Sequence, residues 1–526
     1  MKFVKNVIIT IALILGIIVF LMNLIYIAEV SSEWKEQVTI SYFGLSNLIV
    51  STLIAIGIIS ISNCIDKLVE KEDKKRMKKN IAIIGFIFLI YITIMLLWVH
   101  VRQSVPAADS MRVYEGACQM FRGENLTATK YFELYPQNLS LAYIFSKIFW
   151  VLNSCEVIII KVVNVIANCF SVIGLYFILK LLGKEYRISK TLFFILSFTY
   201  IPLILLVNFT YGDLVSLPLT IFALYFAMKY VKNKKIRYLV FSAILMMISA
   251  MERMNNLIFI IAIAIYLILN ILEIKKVDLK NIEKLIQVGI KILCVIMFVI
   301  VAIIPSNILK GVLSKKYNLN PEKTFPTTGF LAMGMQEGMR ANGWYNESAD
   351  IGWNQIDTAN EQYVEMIKQR ITDFSGDIYY TIKFYTKKVI SMWAEPLQES
   401  IWQNLSLNMD KEEPTEEEIE EATKIDEKML KHETAAQLYQ RALMLIIFGV
   451  TVMVIIVNRR NLSNEVILLL LSFVGGFIFH ILWEGKSRYI IPYIVVLIPI
   501  ASIKINSKIK EKKEDEKNIS SHTNVL

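Results

Sequence analysis

The sequence has few charged residues, few cysteines and no tract rich in glycine or proline. Only 19% of its 526 residues are charged, whereas a soluble globular chain carries about 25%. The five cysteines form no Cys-x-x-Cys pair and no cluster with histidine, so a structural zinc site or a dithiol redox site has no support. A disulfide between Cys118 and Cys155 is left open. Collagen, disorder and a small disulfide scaffold are excluded.

Apolar residues are abundant and occur in long runs. They make up 55% of the chain, and the mean hydropathy is +0.50. Because a transmembrane helix needs about 20 apolar residues, these runs favour a membrane protein over a soluble enzyme. A short run at 239–251, followed at once by Glu252 and Arg253, is interpreted as a span that ends early. With it, about twelve transmembrane helices are predicted. The other candidate spans are 6–28, 42–62, 81–100, 156–182, 191–207, 214–231, 255–272, 287–305, 441–457, 464–482 and 489–505.

Basic residues lie in alternate loops, as the positive-inside rule requires when both termini are cytoplasmic. Loops 64–80 and 232–238 and the C-terminal tail are rich in lysine. The alternation holds only if the segment 139–152 does not cross the membrane. Because this segment is also short for a span, we predict that it forms a juxtamembrane helix. The net charge of +10 is therefore attributed to membrane topology, with no nucleic-acid partner, and the expected location is the plasma membrane.

The predicted fold is an all-α polytopic membrane protein with an outer loop that carries the juxtamembrane helix and with a mainly helical extracytoplasmic domain. That domain holds 14 Lys and Arg against 22 Asp and Glu, and 376–394 within it predicts an interfacial amphipathic helix. The expected parts are two extra N-terminal helices at 1–80, a membrane core at 81–305 that includes the outer loop 101–155, the extracytoplasmic domain at 306–440, C-terminal helices at 441–505 and a basic cytoplasmic tail at 506–526.

Two aspartates stand next to apolar runs on the predicted outer side. Burying a charge in lipid is costly, so polar residues at this boundary are informative. Asp109, in the loop after the third run, is placed to accept a proton from a hydroxyl; the alternatives are a helix cap or an i,i+3 pair with Arg112. Asp213 ends the turn Tyr211-Gly212-Asp213, where it either faces the same cavity as Asp109 or caps the next helix.

Cations and aromatic residues occupy the same boundary. Arg253, Lys486 and Arg488 are predicted to bind phosphate, for which arginine offers a planar bidentate fork; snorkelling to headgroups is the alternative. Tyr135 and Asn138 are predicted to stack on and hydrogen-bond a sugar, or to belong to an interfacial aromatic belt.

The ordered set of these features resembles the polytopic GT-C glycosyltransferases, whose relatives include protein O-mannosyltransferases and bacterial lipid-linked-sugar transferases. The resemblance covers roughly 81–505. The segment Gly343-Trp344-Tyr345-Asn346 has the look of Gram-positive members. The matching elements, in chain order, are Asp109…Tyr114…Ala117…Gly123, Tyr135-Pro136-x-Asn138, Gly212-Asp213 and Lys486-Ser-Arg488-Tyr489-Ile-Ile-Pro492.

The resemblance implies a sugar donor carried on a polyprenyl phosphate, a cell-envelope glycan, lipid or protein as acceptor outside the cytoplasm, and Asp109 as the catalytic acidic residue. Two departures are noted: Ser110 follows Asp109 where many members have a second acid, and the two extra N-terminal helices are expected to lie away from the site. The full predicted site comprises Asp109 and Asp213 as catalytic residues, Arg253, Lys486 and Arg488 for the donor phosphate, and Tyr114, Glu115, Tyr135, Asn138, Trp344 and Glu484 for the sugar or acceptor.

The sequence identifies no certain cofactor and leaves the need for a divalent cation open. A divalent cation would need Asp109 and Asp213 close together. Two other functions stay open: a flippase or transporter for lipid-linked saccharides, and a non-catalytic envelope assembly or sensor protein. The hypotheses differ in whether Asp109, Asp213, Arg253 and Arg488 surround one outward cavity.

Overall fold

The computed structural model describes residues 2–31, 36–70, 74–102, 104–272, 282–405 and 415–505. The predicted basic tail at 506–526 lies outside the described residues. Within them the chain is mainly α-helical, in agreement with a polytopic helical membrane protein.

The helices are numbered in chain order. The N-terminal part and outer loop contain α1 Lys2–Ile25, α2 Leu45–Glu70, α3 Lys74–Val101, α4 Ala108–Arg122, α5 Thr129–Leu134 and α6 Gln137–Leu152. The central part contains α7 Val157–Leu182, α8 Lys190–Phe198, α9 Ile201–Leu205, α10 Gly212–Asn233, α11 Ile236–Glu252, α12 Leu257–Leu272 and α13 Ile282–Lys316. The remainder contains α14 Thr327–Gly334, α15 Ala349–Asn354, α16 Ile356–Gly376, α17 Ile378–Trp393, α18 Glu416–Leu430, α19 Glu433–Asn458, α20 Asn464–Leu482, α21 Ile491–Val495 and α22 Ile498–Ala501. Single 3₁₀ turns cover Leu206–Asn208, Met254–Asn256, Pro321–Lys323, Trp402–Asn404 and Ser487–Ile490.

Within the described residues, nine helices are long and apolar enough to cross a membrane: α1, α2, α3, α7, α10, α12, α13, α19 and α20. A tenth candidate is the pair of α8 and the segment Ile201–Asn208, bent by 46°. Two of the twelve predicted spans therefore fall short. One is α11, with 17 residues. The other is the last apolar run, which is divided into a 3₁₀ turn, α21 and α22, each of the two helices having a proline in its first turn.

These two shorter segments nevertheless extend along the helical body. The backbone carbonyl of Glu252, at the end of α11, lies against Gly212 at the start of α10. The last apolar run ends beside the α7–α8 loop, where Ser189 N donates to Ser502 O at 2.7 Å and Ile188 forms an antiparallel bridge with Ile503.

The apolar helices differ in how much of their surface other helices cover. The most apolar stretches of α19 and α20 are 78% and 72% buried, whereas those of α2, α3 and α13 are 17% buried. Therefore α19 and α20 lie at the centre of the body. The side chains of α2, α3 and α13 mostly face outwards, where apolar residues suit lipid.

A two-stranded hairpin joins α1 to α2, which the sequence analysis did not predict. Strands β1 Tyr26–Val30 and β2 Val38–Tyr42 pair antiparallel, from Tyr26 opposite Tyr42 to Val30 opposite Val38. The predicted span at 6–28 absorbed the start of β1, because an apolar run alone does not distinguish strand from helix. Ala28 N donates to Ala394 O at 3.0 Å, which attaches the hairpin to the end of α17.

The segments predicted to lie outside the membrane are helical and pack on the apolar helices. The juxtamembrane segment predicted at 139–152 is helix α6, which packs against α4. The predicted boundary at 305 falls within α13, which continues through Pro305 to Lys316. The segment 376–394 forms α17. Cys118 and Cys155 are both free thiols.

Candidate active site

The hairpin between β1 and β2 delivers a carboxylate to the loop between α20 and α21. Glu36, just before β2, accepts a hydrogen bond from Lys486 Nζ at 2.5 Å and forms an ion pair with Arg340, whose Nε lies 2.7 Å from Glu36 Oε2. Burial alone would raise the pKa of Glu36, but Lys486 and Arg340 outweigh burial and hold it below its ordinary value. The expectation that the two N-terminal helices lie away from the site is therefore wrong, because their connection supplies one of its charged groups.

Arg488 lies in the same loop and pairs with a second buried acid. Its Nε is 3.3 Å from Glu399 Oε2, and its guanidinium lies over the ring of Phe209, 4.7 Å from the ring centre. Ser487 Oγ donates to Glu395 Oε2 at 2.7 Å, and burial raises the pKa of Glu395 to about 7. Within the described residues, Arg488 Nη1 is buried and has no hydrogen-bond acceptor.

A second guanidinium stands beside the first. Arg253, which follows α11, forms an ion pair with Asp213 in the first turn of α10, and both side chains are 8% exposed. The Arg253 guanidinium lies over the Tyr489 ring at 4.8 Å. Asp213 is therefore paired with Arg253 and is not an unpaired carboxylate beside Asp109. Gly212 allows this close approach, since a Cβ there would lie 2.4 Å from Glu252 O.

Asp109 lies in the first turn of α4 but does not cap it. Ser110 satisfies the helix end: Ala107 N donates to Ser110 Oγ at 3.0 Å, and Ser110 Oγ donates to Ala107 O at 2.7 Å. Arg112 pairs instead with Glu115, at 3.7 Å. The residue before Asp109, Ala108, has a φ of 46°, a left-handed conformation that is costly for alanine and typical of functional sites.

The surroundings of Asp109 combine solvent access with dense protein. Its side chain is exposed, yet burial by neighbouring groups raises its pKa, while Arg488, Lys486 and a hydrogen bond from Tyr131 oppose the rise. A carboxylate that is open to solvent and still desolvated lies in a recess. The same interactions place Asp109 within electrostatic reach of the loop between α20 and α21.

A chain of hydrogen bonds leads from Tyr211 through Asn138 and Tyr131 to Asp109. Tyr211 donates to Asn138 Oδ1 at 3.1 Å, and Asn138 Nδ2 donates to Tyr131 Oη at 2.6 Å. Because Tyr131 accepts from Asn138, its own proton is directed to Asp109. Asn138 is 8% exposed. The structure thus assigns Asn138 to positioning rather than to direct contact with a sugar.

Glu484 is the other carboxylate near Asp109. It is 8% exposed, and its backbone N–H donates to Phe330 O at 3.0 Å. Burial raises the pKa of Glu484 to about 7; Lys486 and Arg488 lower it, while Asp109 raises it further. The negative charge of Asp109 thus favours the protonated form of Glu484.

The loop that carries Glu484, Lys486 and Arg488 is held by a buried lysine. Lys388 Nζ, on α17, donates to Gly334 O at 2.6 Å, Trp483 O at 2.8 Å and Ile481 O at 2.9 Å. The Lys388 side chain thus satisfies free carbonyls at the ends of both α14 and α20. The interfacial helix predicted at 376–394 therefore uses one of its lysines inside the protein.

Three predicted sugar contacts lie elsewhere. Tyr114 donates to Cys155 O at 2.8 Å, and Glu115 pairs with Arg112, so the structure directs both away from Asp109. Trp344 is fully buried: its Nε1 donates to Ser391 Oγ at 2.9 Å, and its ring packs 5.9 Å from Lys486 Nζ. These contacts correct the prediction for the three residues, because Trp344 supports Lys486, Tyr114 bonds to the loop after α6 and Glu115 pairs within α4.

Glu36, Arg340, Glu395, Glu399 and Lys388 were missed by the sequence analysis. They lie in the hairpin and in the segment 306–440, far in sequence from the residues that they contact. The sequence offered a weak signal for Glu395 and Glu399. These acids directly follow the aromatic end of a predicted helix, just as Asp109 follows an apolar run.

Within the described residues, no group of three or more His, Cys, Asp or Glu side chains is arranged to hold a metal ion. Asp213 is engaged with Arg253, which leaves Asp109 without the partner that a shared cation site would need.

A family model described as "Conserved hypothetical integral membrane protein" matches residues 1–509. The chain belongs to this family. No curated protein and no solved structure matches it. The family and the apolar helices together make the chain an integral, multi-pass membrane protein that associates with the lipid bilayer.

Proposed function

We propose that this protein is a membrane glycosyltransferase that moves a sugar from a polyprenyl-phosphate carrier to an extracytoplasmic acceptor. The observation that carries the proposal is the convergence of a desolvated carboxylate, Asp109, with Lys486 and Arg488 at one end of the helical body. In our proposal this end is the extracytoplasmic boundary of the plasma membrane, and the architecture is of the GT-C kind.

The proposed topology has twelve crossings and both termini in the cytoplasm. It counts α11 and the broken segment from Ile491 to Ile503 as crossings, because each extends along the body although neither is one long apolar helix. With this count, Glu36, Asp109 and Arg488 all fall on the outer side. The lysine-rich segments of the sequence fall on the inner side, as the positive-inside rule requires.

The proposed reaction is direct displacement at the anomeric carbon. Asp109 takes the proton of the acceptor hydroxyl as general base. The acceptor oxygen bonds to the anomeric carbon while the bond from that carbon to the carrier phosphate breaks, and the bonding pair leaves with the phosphate. This step needs no oxidant, reductant or other co-reactant.

The cations suit the leaving phosphate. Arg488 and Lys486 lie close enough to Asp109 to affect its pKa, and Arg253 packs on the ring of Tyr489, as Arg488 does. Each cation already has an acidic partner, which keeps it in place before the donor arrives; such preorganised charge is what stabilises a developing phosphate in a transition state. The unpartnered Arg488 Nη1 is a donor that a phosphate oxygen satisfies.

Glu484 is proposed to orient the acceptor. Its raised pKa keeps it partly protonated near neutral pH, so that it both donates and accepts hydrogen bonds, whereas Asp109 acts as the base. In many members of the resembled family the second acid follows the first in sequence. Here Glu484 takes that place in space, and Ser110 is left to cap α4.

The test is incubation of the purified protein in lipid nanodiscs with a panel of polyprenyl-phosphate sugars and envelope acceptors. Release of polyprenyl phosphate in step with glycosylated acceptor is the expected result. Translocation of the intact donor without release would indicate the flippase instead. Binding of an envelope protein with neither activity would indicate the assembly protein.

A further inference from the structure

A cleft of ≈ 360 Å³ opens beside the candidate active site, between α5 and the extracytoplasmic domain. Its volume lies in the range of small-molecule sites, roughly 300–1,000 Å³. Its lining includes Thr129, Lys130, Glu133, Lys323, Trp353 and Ile356.

The cleft combines an aromatic wall with two lysines. Trp353 is half-buried, and Lys130 Nζ lies 5.6 Å from the centre of its ring. An indole offers a rigid apolar surface with a polar edge, to which the C–H face of a pyranose ring is complementary. The exposed ammonium groups of Lys130 and Lys323 add positive charge at the same wall.

The one acid in this lining is already engaged. Glu133 Oε2 lies 3.6 Å from Lys323 Nζ, and Glu133 Oε1 accepts from Asn320 N at 3.0 Å. Glu133 therefore offsets Lys323 and leaves the charge of Lys130 uncompensated within the lining. The cleft favours an anionic occupant.

Tyr135 connects the cleft to the surroundings of Asp109. The Tyr135 ring lies 5.8 Å from the Trp353 ring and 5.5 Å from the Phe325 ring. Tyr135 also interacts electrostatically with Asp109 and Glu484. A chain of sugars that starts in the cleft and passes Tyr135 thus reaches the proposed base.

We propose that this cleft is the acceptor subsite and that it binds an acidic saccharide, a glycan that carries carboxylate or phosphate groups. The assignment of the cleft as an acceptor subsite rests on the proposed function. The binding of an acidic saccharide in the cleft does not depend on sugar transfer. The sugar ring packs on Trp353, the acid group pairs with Lys130 or Lys323, and the next sugar unit lies at Tyr135.

The test is equilibrium binding to the full-length protein in nanodiscs, without donor. Two acidic probes, trigalacturonic acid and mannose 6-phosphate, are compared with the neutral probes maltotriose and mannose. Trp353→Ala should weaken binding of the acidic probes about tenfold, as truncation of a central tryptophan commonly does. Lys130→Gln should weaken it about threefold to fivefold, as expected for one exposed ionic contact. Lys368→Gln, at an exposed lysine paired with Glu365 on α16, is the charge-matched control and should leave binding unchanged.

Equal affinity for acidic and neutral probes would overturn the assignment of an anionic ligand. Unchanged binding in Trp353→Ala would overturn the location. Mannose 6-phosphate needs a further check, because its phosphate could bind at Arg488. If its binding is lost in Arg488→Lys but kept in Trp353→Ala, the probe occupies the donor-phosphate region and the inference fails.

The two proposals fail separately. If no donor is consumed but acidic saccharides bind with this dependence on Trp353, the transferase proposal fails and the saccharide site stands. If donors are consumed but acidic saccharides do not bind at the cleft, the transferase stands and the acceptor class is wrong.

Discussion

Replacement of Asp109 by asparagine separates a catalytic role from a structural one. Burial raises the pKa of Asp109, so its charged form is disfavoured in the folded protein relative to the unfolded chain. For an acid with a raised folded pKa, stability is fully present below the unfolded pKa and is lost as the pH rises through the folded pKa. Asp109 therefore weakens the fold at neutral pH, and Asp109→Asn should unfold at the same temperature as the parent or slightly higher.

The same substitution should nearly abolish transfer. Loss of a general base costs about 10²–10⁴-fold in rate, which is about 3–5 kcal/mol in the activation barrier. Release of polyprenyl phosphate measures the rate, and thermal unfolding in the same nanodiscs measures stability. Asp357→Asn, at an exposed acid in the first turn of α16, is the control and should change neither.

The result that would refute this reasoning is full turnover by Asp109→Asn. Loss of activity together with a clearly lower unfolding temperature would also contradict it, since a residue that stabilises the fold is not the strained, desolvated carboxylate described above. Binding of polyprenyl phosphate should persist in the variant, because the cations do not depend on Asp109.

Four further predictions concern the surroundings of the site. Arg488→Lys keeps the charge but loses the bidentate fork, so KM for the donor should rise about tenfold with little change for the acceptor; an unchanged donor KM would remove Arg488 from the site. Glu36→Gln removes a charge that raises the pKa of Asp109 and frees Lys486, so the acid limb of the pH–rate profile should move to lower pH, and a shift to higher pH would contradict the proximity of the groups. Lys388→Met leaves three buried carbonyls without a donor and should destabilise the fold by about 2–4 kcal/mol, seen as a lower unfolding temperature that the exposed control Lys387→Met does not show. Gly212→Ala forces a Cβ to 2.4 Å from a backbone oxygen and should cost about 1–3 kcal/mol; unaltered stability and activity would show that the α10–α11 contact is loose.

The apolar body of the fold follows closely from the sequence. Long runs such as those of α7, α19 and α20 need no tertiary information, because every peptide group in lipid must be bonded within its own helix. The last apolar run was harder to predict, since Pro492 and Pro499 each begin a new short helix, which an averaged hydropathy does not reveal. The hairpin at Tyr26–Tyr42 was hidden because its first strand continues the apolar run of α1.

The candidate site was predictable only in part. The sequence analysis named Asp109 and Arg488, because charges next to apolar runs are rare and expensive, and alternation of the loops put them on one side. It did not find Glu36, which meets Lys486 across 450 positions, since no local pattern encodes so distant a contact. Trp344 was misjudged for a related reason: an aromatic residue in an outer segment looks the same in sequence whether it faces a ligand or supports a lysine.

The central claim is that a lipid-carried phosphate reaches the charged cluster around Arg488. The most direct measurement is photocrosslinking with a polyprenyl phosphate that bears a diazirine close to the phosphate, followed by mass spectrometry of the labelled peptides. The account predicts labelling of the segment 482–490 and of the residues next to Arg253, reduced by an excess of unlabelled polyprenyl phosphate. Labelling confined to the opposite end of the body, in the loops 183–189 and 459–463, would contradict it.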